Sequence, residues 1–342
     1  MSFPIHRVNA RVFPADFRGE VFVCDIDRTY LMTRFSSLKG IAQIPIEFAI
    51  DKQAIEGMVV LLKEVRRGPG TRSRQTPLYF LSASPRQLRP VIERKMLLDG
   101  LEFDGTTFKD WGKVLLSLTP GRLREQVGFK VTALVAGRQD LPAAAEEVLI
   151  GDDLESDALS FALYADYLAG RLDEAEVLFI LRSQGVSASD VDGIRRLRRL
   201  LPTSAGVKRA YVRLERAAHS PETFLAFAPG VIACRGALQM ALAFHEQGSI
   251  SRAGVLRVAR DLAARGVEPG RADELLTDAF ARGLVGVDTA VSLRDELAGA
   301  GLLRPAGPLP AVDLRWAEAM AKGLSRPWTP TGIRKPDERT GS

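Results

Sequence analysis

Cysteine and histidine are scarce in this 342-residue chain, which holds two of the first and three of the second. Cys24 and Cys234 both sit in apolar contexts, so they read as buried thiols of a reducing compartment and exclude a disulfide framework. His6, His219 and His245 share no metal-ligand spacing, which argues against a zinc site. No apolar run approaches the roughly 18 residues that a membrane span requires. Met1 to Phe17 lacks the apolar core of a secretory signal. The expectation is a soluble cytoplasmic protein, with peripheral contact to a membrane left open. Charge of one sign is also in short supply, because 47 basic residues face 42 acidic ones and leave a net charge of +5. The densest basic run, Arg195-Arg196-Leu197-Arg198-Arg199, reads as a solvated helix face ahead of a phospholipid or nucleic-acid patch.

Hydrophobic residues make up 46% of the chain and charged ones 26%, enough for a sizeable core in about two domains. Short apolar runs alternate with helical patterns over the first 200 residues. Gly19–Ile26, Leu78–Leu81, Val148–Ile150 and Val177–Leu181 read as strands. An edge strand fits the first 18 residues, and Trp111 is a candidate packing anchor. Helices are expected after Asp51, a candidate cap, and after Pro85, which suits a first helical turn. This pattern predicts an α/β fold: an open, mostly parallel sheet with helices on both faces. Beyond residue 200 Ala, Leu, Arg and Glu dominate. Helices are expected over Val207–Ala218, Val231–Gln247, Arg252–Arg265, Arg271–Arg282, Thr289–Ala298 and Val312–Lys322. The expected organisation is an α/β domain over 1–200, an all-α C-terminal region over 201–324 and a disordered tail over 325–342.

Three of these strands end in polar clusters: Asp25/Asp27/Thr29, Ser82/Ser84 and Asp152/Asp153/Asp157. Ligands of open α/β sheets bind outside the carboxyl ends of the strands, so the clusters converge on one crevice. Asp25 and Asp27 fall on one side of an extended chain. Paired carboxylates at the end of a buried strand are costly unless a cation meets them. Carboxylates, hydroxyls and a lysine, Lys130, suit phosphoryl transfer through an aspartyl-phosphate. In that scheme Asp25 attacks phosphorus and Asp27 is the acid/base. Ser82 holds phosphoryl oxygens, Lys130 neutralises charge, and Mg²⁺ is held by Asp25, the Asp27 carbonyl and Asp152. Asp153 fits as a group orienting metal waters, and Asp157 supports the metal site from the next helix. Lys109 and Lys113 also lie between the second and third clusters and compete with Lys130 for its role. Capping of the following helix is the lesser reading of Ser82, and the two roles can coexist. Taken alone, Asp-x-Asp-x-Thr describes a surface turn, but the apolar strand before it and the two matching strand ends argue against that.

In order, Asp25-x-Asp27-x-Thr29, Ser82, Lys130 and Gly151-Asp152-x-x-x-x-Asp157 resemble the four motifs of the haloacid dehalogenase superfamily of phosphatases. Cys24-Asp25-Ile26-Asp27, Tyr79-Phe80-Leu81-Ser82-Ala83-Ser84-Pro85-Arg86-Gln87-Leu88 and Leu149-Ile150-Gly151-Asp152 are most similar to the catalytic domain of the actin-patch-associated phosphatidate phosphatases. The resemblance covers about residues 19–200. It implies a haloacid dehalogenase-like fold, Mg²⁺, and dephosphorylation of a lipid phosphate such as phosphatidate. Thr29, Ser84 and Arg86 are the candidate substrate contacts. Two positions depart from the family pattern: Arg28 replaces an acid, and Asp153-Leu154-Glu155-Ser156 replaces a small stretch, so the rim of the site differs.

The spacings from Asp27 to Leu78 and from Ser82 to Lys130 leave room for a flap over 30–50 but not for a large cap domain. A nearly capless site admits bulky substrates such as lipid headgroups. Two other readings stand beside this one. A polynucleotide-end phosphatase fits the basic balance, and a non-catalytic scaffold would present the C-terminal helices to a protein partner.

Overall fold

The computed structural model describes residues 4–32, 53–110, 126–154, 156–204, 206–215 and 219–321. Most of the expected flap, the Asp51 cap, Trp111, Lys113 and the 325–342 tail lie outside them. Seven strands form one sheet: β1 (Ile5–Asn9), β2 (Glu20–Asp25), β3 (Leu78–Pro85), β4 (Gly105–Lys109), β5 (Glu146–Asp152), β6 (Val207–Arg213) and β7 (Val231–Cys234), in spatial order β1-β4-β3-β2-β5-β6-β7. Every neighbouring pair is parallel except β1 with β4, where Ile5 lies opposite Lys109 on the edge. The sheet is therefore the open, Rossmann-like one that the strand–helix alternation predicts.

Period-2 alternation gives the sheet two apolar faces. Phe22, Cys24, Phe80, Ile150, Tyr211 and Ile232 point to one of them. It is covered by α1 (Met58–Arg67) and α2 (Arg89–Leu98). Leu81, Leu149, Ala210 and Val212 point to the other, under α3 (Val127–Arg138), α4 (Asp157–Leu168), α5 (Glu174–Ser183) and α6 (Ala188–Arg199). The C-terminal helices α7 (Ala237–Glu246), α8 (Arg252–Ala264), α9 (Pro269–Ala281) and α10 (Val287–Gly299) join the first core, and α11 (Leu314–Ala321) follows them. Phe244 of α7 packs edge-on against Phe22 and Tyr211, with ring centroids 5.4 and 4.9 Å away. Arg257 of α8 grips the buried Glu64 of α1 with two bonds of 2.6 Å. The helical region is thus the cover of one sheet face.

Three segments differ from their sequence-based expectation. Val177–Leu181 lies in helix α5, not in a strand. Asp173 and Glu176 close a capping box there, and Val177, Ile180 and Leu181 are buried at helical spacing. Phe179, 66% exposed, would have been inside in a covered strand. Val207–Arg213 and Val231–Cys234 are strands, not helices, because β5 offers an unpaired edge that a β-branched and aromatic segment satisfies. The expected boundary at residue 200 therefore falls between neighbouring strands of one sheet. The Arg195–Arg199 run does lie on a helix face, with Arg195 and Arg199 paired to Glu174 and Arg198 bonded to main-chain carbonyls and stacked over Tyr167.

Between β5 and α3, the buried Glu147 accepts 2.6 Å from the Tyr164 hydroxyl and lies 3.5 Å from Arg138. Burial outweighs both partners and pushes its carboxyl from the ordinary 4.5 up to about 7.

Two outcomes are expected. A chain ending at residue 200 loses β6, β7 and the helices over Phe22 and Tyr211. It should lack a cooperative thermal transition and bind a hydrophobic dye, while the full chain unfolds cooperatively. For Glu147, the folded state holds a proton that the unfolded state has released between pH 4.5 and 7. Its contribution to stability is therefore fully present below pH 4.5 and is lost as pH rises to 7, by about 3 kcal/mol at most. Denaturant melts of wild type and Glu147→Gln across that window should diverge in slope, with the variant flatter.

Candidate active site

The chain runs from β2 outward through β3 and β4, then returns to the other side of β2 with β5. This reversal opens a crevice at the carboxyl ends of β2 and β5. Asp25 ends β2 and Asp152 ends β5. Asp25 follows Cys24 and so faces away from the α1 side, toward α3 and α4. Cys24 itself joins the opposite core, where burial and the charges of Asp25 and Asp157 push its thiol well up and keep it protonated.

Lys130 lies in the first turn of α3, its N–H bonded to Gln126 at 2.8 Å. Its Nζ is 3.2 Å from Asp25 Oδ1 and contacts Asp157 Oδ1, with all three side chains fully buried. Asp157 opens α4, and its second oxygen accepts the Asp152 N–H at 2.9 Å. This reach crosses Gly151, where a Cβ would sit 2.4 Å from Asp157 Oδ2. Glycine is required there by close approach. Asp152 Oδ1 accepts the Leu154 N–H at 2.6 Å.

Asp27 sits in the turn after β2, which is tied by Tyr30 and Leu31 N–H groups to the Ile26 carbonyl and by Arg28 N–H to Leu31. Its carboxylate accepts Ser82 Oγ at 2.6 Å and Ser84 Oγ at 3.0 and 3.1 Å. Ser82 Oγ in turn accepts the Ser84 N–H at 3.0 Å. The β3–β4 register shifts between Ser82 and Pro85, which re-aims this strand end as bulges do. Thr29 is fully buried, and its hydroxyl has no hydrogen-bond partner among the described residues.

The other candidates lie further out. Arg86 is half-exposed, 3.7 Å from Asp110. Lys109 is buried at the end of β4, two strands from β2. Asp153 turns toward β6: its Oδ1 accepts the Glu215 N–H at 2.8 Å and its Oδ2 lies 2.9 Å from His219 Nδ1. Sequence reasoning passed over Arg213, Glu215 and His219. The signal is there, since Arg213-Leu214-Glu215 is another polar cluster at a strand end, but the sequence pattern alone reads this strand as a helix.

Residues 21–181 match the family model of the catalytic domain of phosphatidate phosphatase APP1. That stretch, a little under half of the chain, is similar to this catalytic domain, whose family is haloacid dehalogenase-like. No curated protein and no solved structure matches the chain. The matched stretch runs from β2 into α5, so it contains Asp25, Asp27, Ser82, Lys130, Asp152 and Asp157. It stops short of Arg213, Glu215 and His219.

Asp25, Asp152 and Asp157 each offer a carboxylate oxygen within 4.8 Å of the others, all buried. Three carboxylates in one dry pocket repel strongly, and Lys130 offsets one charge among the described residues. The remaining imbalance and the hard oxygen donors fit a divalent cation. Asp27 and Asp153 direct their carboxylates elsewhere, to the two serines and to the β6 loop.

Gly151→Ala should drive Asp157 off the Asp152 N–H and Lys130. The expected result is a loss of about 1–3 kcal/mol in stability. A divalent cation should raise the melting temperature of wild type, and that rise should shrink or vanish in the variant, read by thermal shift with and without chelator.

Proposed function

We propose that this chain is a Mg²⁺-dependent phosphomonoesterase that works through an aspartyl-phosphate on Asp25 and acts on phosphatidate or another bulky lipid phosphate. The observation that carries it is the Lys130–Asp25–Asp157 contact beside Asp152, at the switch point of the sheet. The family match over residues 21–181 supports the phosphatase class and the lipid substrate.

The roles follow from the geometry. Asp25 is fixed at the strand end with Oδ1 toward Lys130, and its carboxylate is the group that attacks phosphorus. A divalent cation held by Asp25, Asp152 and Asp157 would screen the repulsion between carboxylate and phosphate. Lys130 compensates charge on the carboxylate side. Asp27, steadied by Ser82 and Ser84, gives a proton to the leaving oxygen and then takes one from the water that hydrolyses the acyl phosphate. The bond from phosphorus to the leaving oxygen breaks as the Asp25–phosphorus bond forms, and water later returns Asp25 and phosphate. In this reading the Ser82 and Ser84 hydroxyls, beside Asp27, also donate to phosphoryl oxygens. The short connections around the site favour a large substrate presented at a surface, and no helix among the described residues is long and apolar enough to cross a membrane.

The test is phosphate release from phosphatidate vesicles, a 3′-phosphorylated oligonucleotide and an aryl phosphate. Wild type should turn over phosphatidate best, with Mg²⁺ and not with chelator. Asp25→Asn should lose at least about 10³-fold and Asp27→Asn about 10²–10⁴-fold. Turnover retained by Asp25→Asn would overturn the mechanism, and preference for the oligonucleotide would overturn the substrate.

A further inference from the structure

Beside the carboxylates lies a second polar group that the chemistry above does not use. Arg28, next to Asp27, holds a φ of 62°, a left-handed conformation rare for a long side chain. Its backbone is pinned on both sides. The N–H bonds Leu31 at 2.8 Å, and the carbonyl accepts Arg213 Nη2 at 2.6 Å and Nε at 3.2 Å. A residue held in a rare backbone conformation by its surroundings is a candidate for function.

The Arg28 guanidinium reaches the loop after β6, where its Nη1 is 3.5 Å from Glu215 Oε1, and Glu215 is bonded to Asp153, the residue after Asp152. Glu215 is held independently, by Arg213 at 2.6 Å and through its own N–H on Asp153. The Arg28 and Glu215 side chains are 39% and 36% exposed, so their ion pair is solvated, long and weak. The group thus presents an arginine whose present partner is a carboxylate that an incoming anion can displace. Asp27 protonates the leaving oxygen in the mechanism proposed above, so whatever lies beyond that oxygen passes the residue next to Asp27.

We infer that Arg28 is a specificity residue for a second anionic group, carboxylate or phosphoryl, carried on the leaving group of the substrate, with Glu215 occupying its guanidinium in the free protein. A guanidinium favours such oxyanions because it can donate two parallel bonds to them. Phosphatidate itself, whose diacylglycerol leaving group is neutral, would not use this contact. The substrate class is the other bulky lipid phosphate of the reading above, a lipid phosphomonoester with a second negative charge a few atoms from the scissile phosphate, such as a headgroup bearing two phosphoryl groups. This rests on the phosphomonoesterase reading of Asp25 and Asp27.

The experiment compares butyl phosphate, 3-carboxypropyl phosphate and propane-1,3-diyl bisphosphate, with Mg²⁺, on wild type, Arg28→Gln, Arg28→Lys and Glu215→Gln. Wild type should prefer the doubly anionic esters, through KM. Arg28→Gln should lower that preference about tenfold, with Arg28→Lys between, and Glu215→Gln should raise it. The stronger of the two anionic esters identifies the second group. Equal losses on all three esters in the Arg28 variants, or no preference in wild type, would overturn the proposal. Calorimetric binding of the same esters to Asp25→Asn, with and without Arg28→Gln, reads the preference without turnover. A preference in binding that depends on Arg28, with no hydrolysis by wild type, would sink the phosphatase reading and leave the Arg28 site standing. Hydrolysis with no preference would do the reverse.

Discussion

Lys130, with no solvent exposure, touches two equally buried aspartates, Asp25 and Asp157. Burying such a group is costly unless the charges are paired and the geometry is fixed from outside. Much of the fold meets that requirement. The switch between β2 and β5 brings Asp25 beside Asp152, α3 delivers Lys130 in its first turn, and Gly151 makes way for Asp157. One lysine against three carboxylates leaves negative charge in excess among the described residues, and that excess is what makes the pocket fit for a divalent cation.

The precision of such a site depends on a sheet that does not move. Both faces are sealed, one by α3 to α6 and the other by α1, α2 and the C-terminal helices. Phe244 between Phe22 and Tyr211, and Arg257 on Glu64, fasten the late helices to the early strands. The family match ends at residue 181, yet the sheet continues through β6 and β7. Those last strands also bring Arg213, Glu215 and His219 to the rim. The segment outside the family match therefore helps to hold the strands that carry the buried acidic cluster and also shapes the rim of the crevice.

Two kinds of carboxylate coexist at that crevice. Asp25, Asp152 and Asp157 converge on a common point, whereas Asp27 and Asp153 are claimed by neighbours, the first by two serine hydroxyls and the second by Glu215 and His219. The division separates charge that a cation can gather from charge that orients protons or loops. Adjacent residues in the chain, such as Asp152 and Asp153, fall on opposite sides of it because successive side chains at a strand end point in opposite directions.

The sequence by itself determined the strand ends and their chemistry. An apolar run that stops at Asp25, at Ser82 or at Asp152 is legible because burial and period 2 are local properties, and polar residues at such ends have one crevice to enter. Lys130 was legible as a candidate but not separable from Lys109 and Lys113, since distance along the chain says nothing of which lysine reaches Asp25. The short apolar runs were ambiguous for the same reason. Val177–Leu181 and Val207–Arg213 each suit helix or strand, and their state was decided by a capping box in one case and by the open edge of β5 in the other. The partners of Asp153, the pairing of Arg28 with Glu215 and the close approach over Gly151 were decided by tertiary structure alone. They join residues far apart in the chain, and packing brings them together.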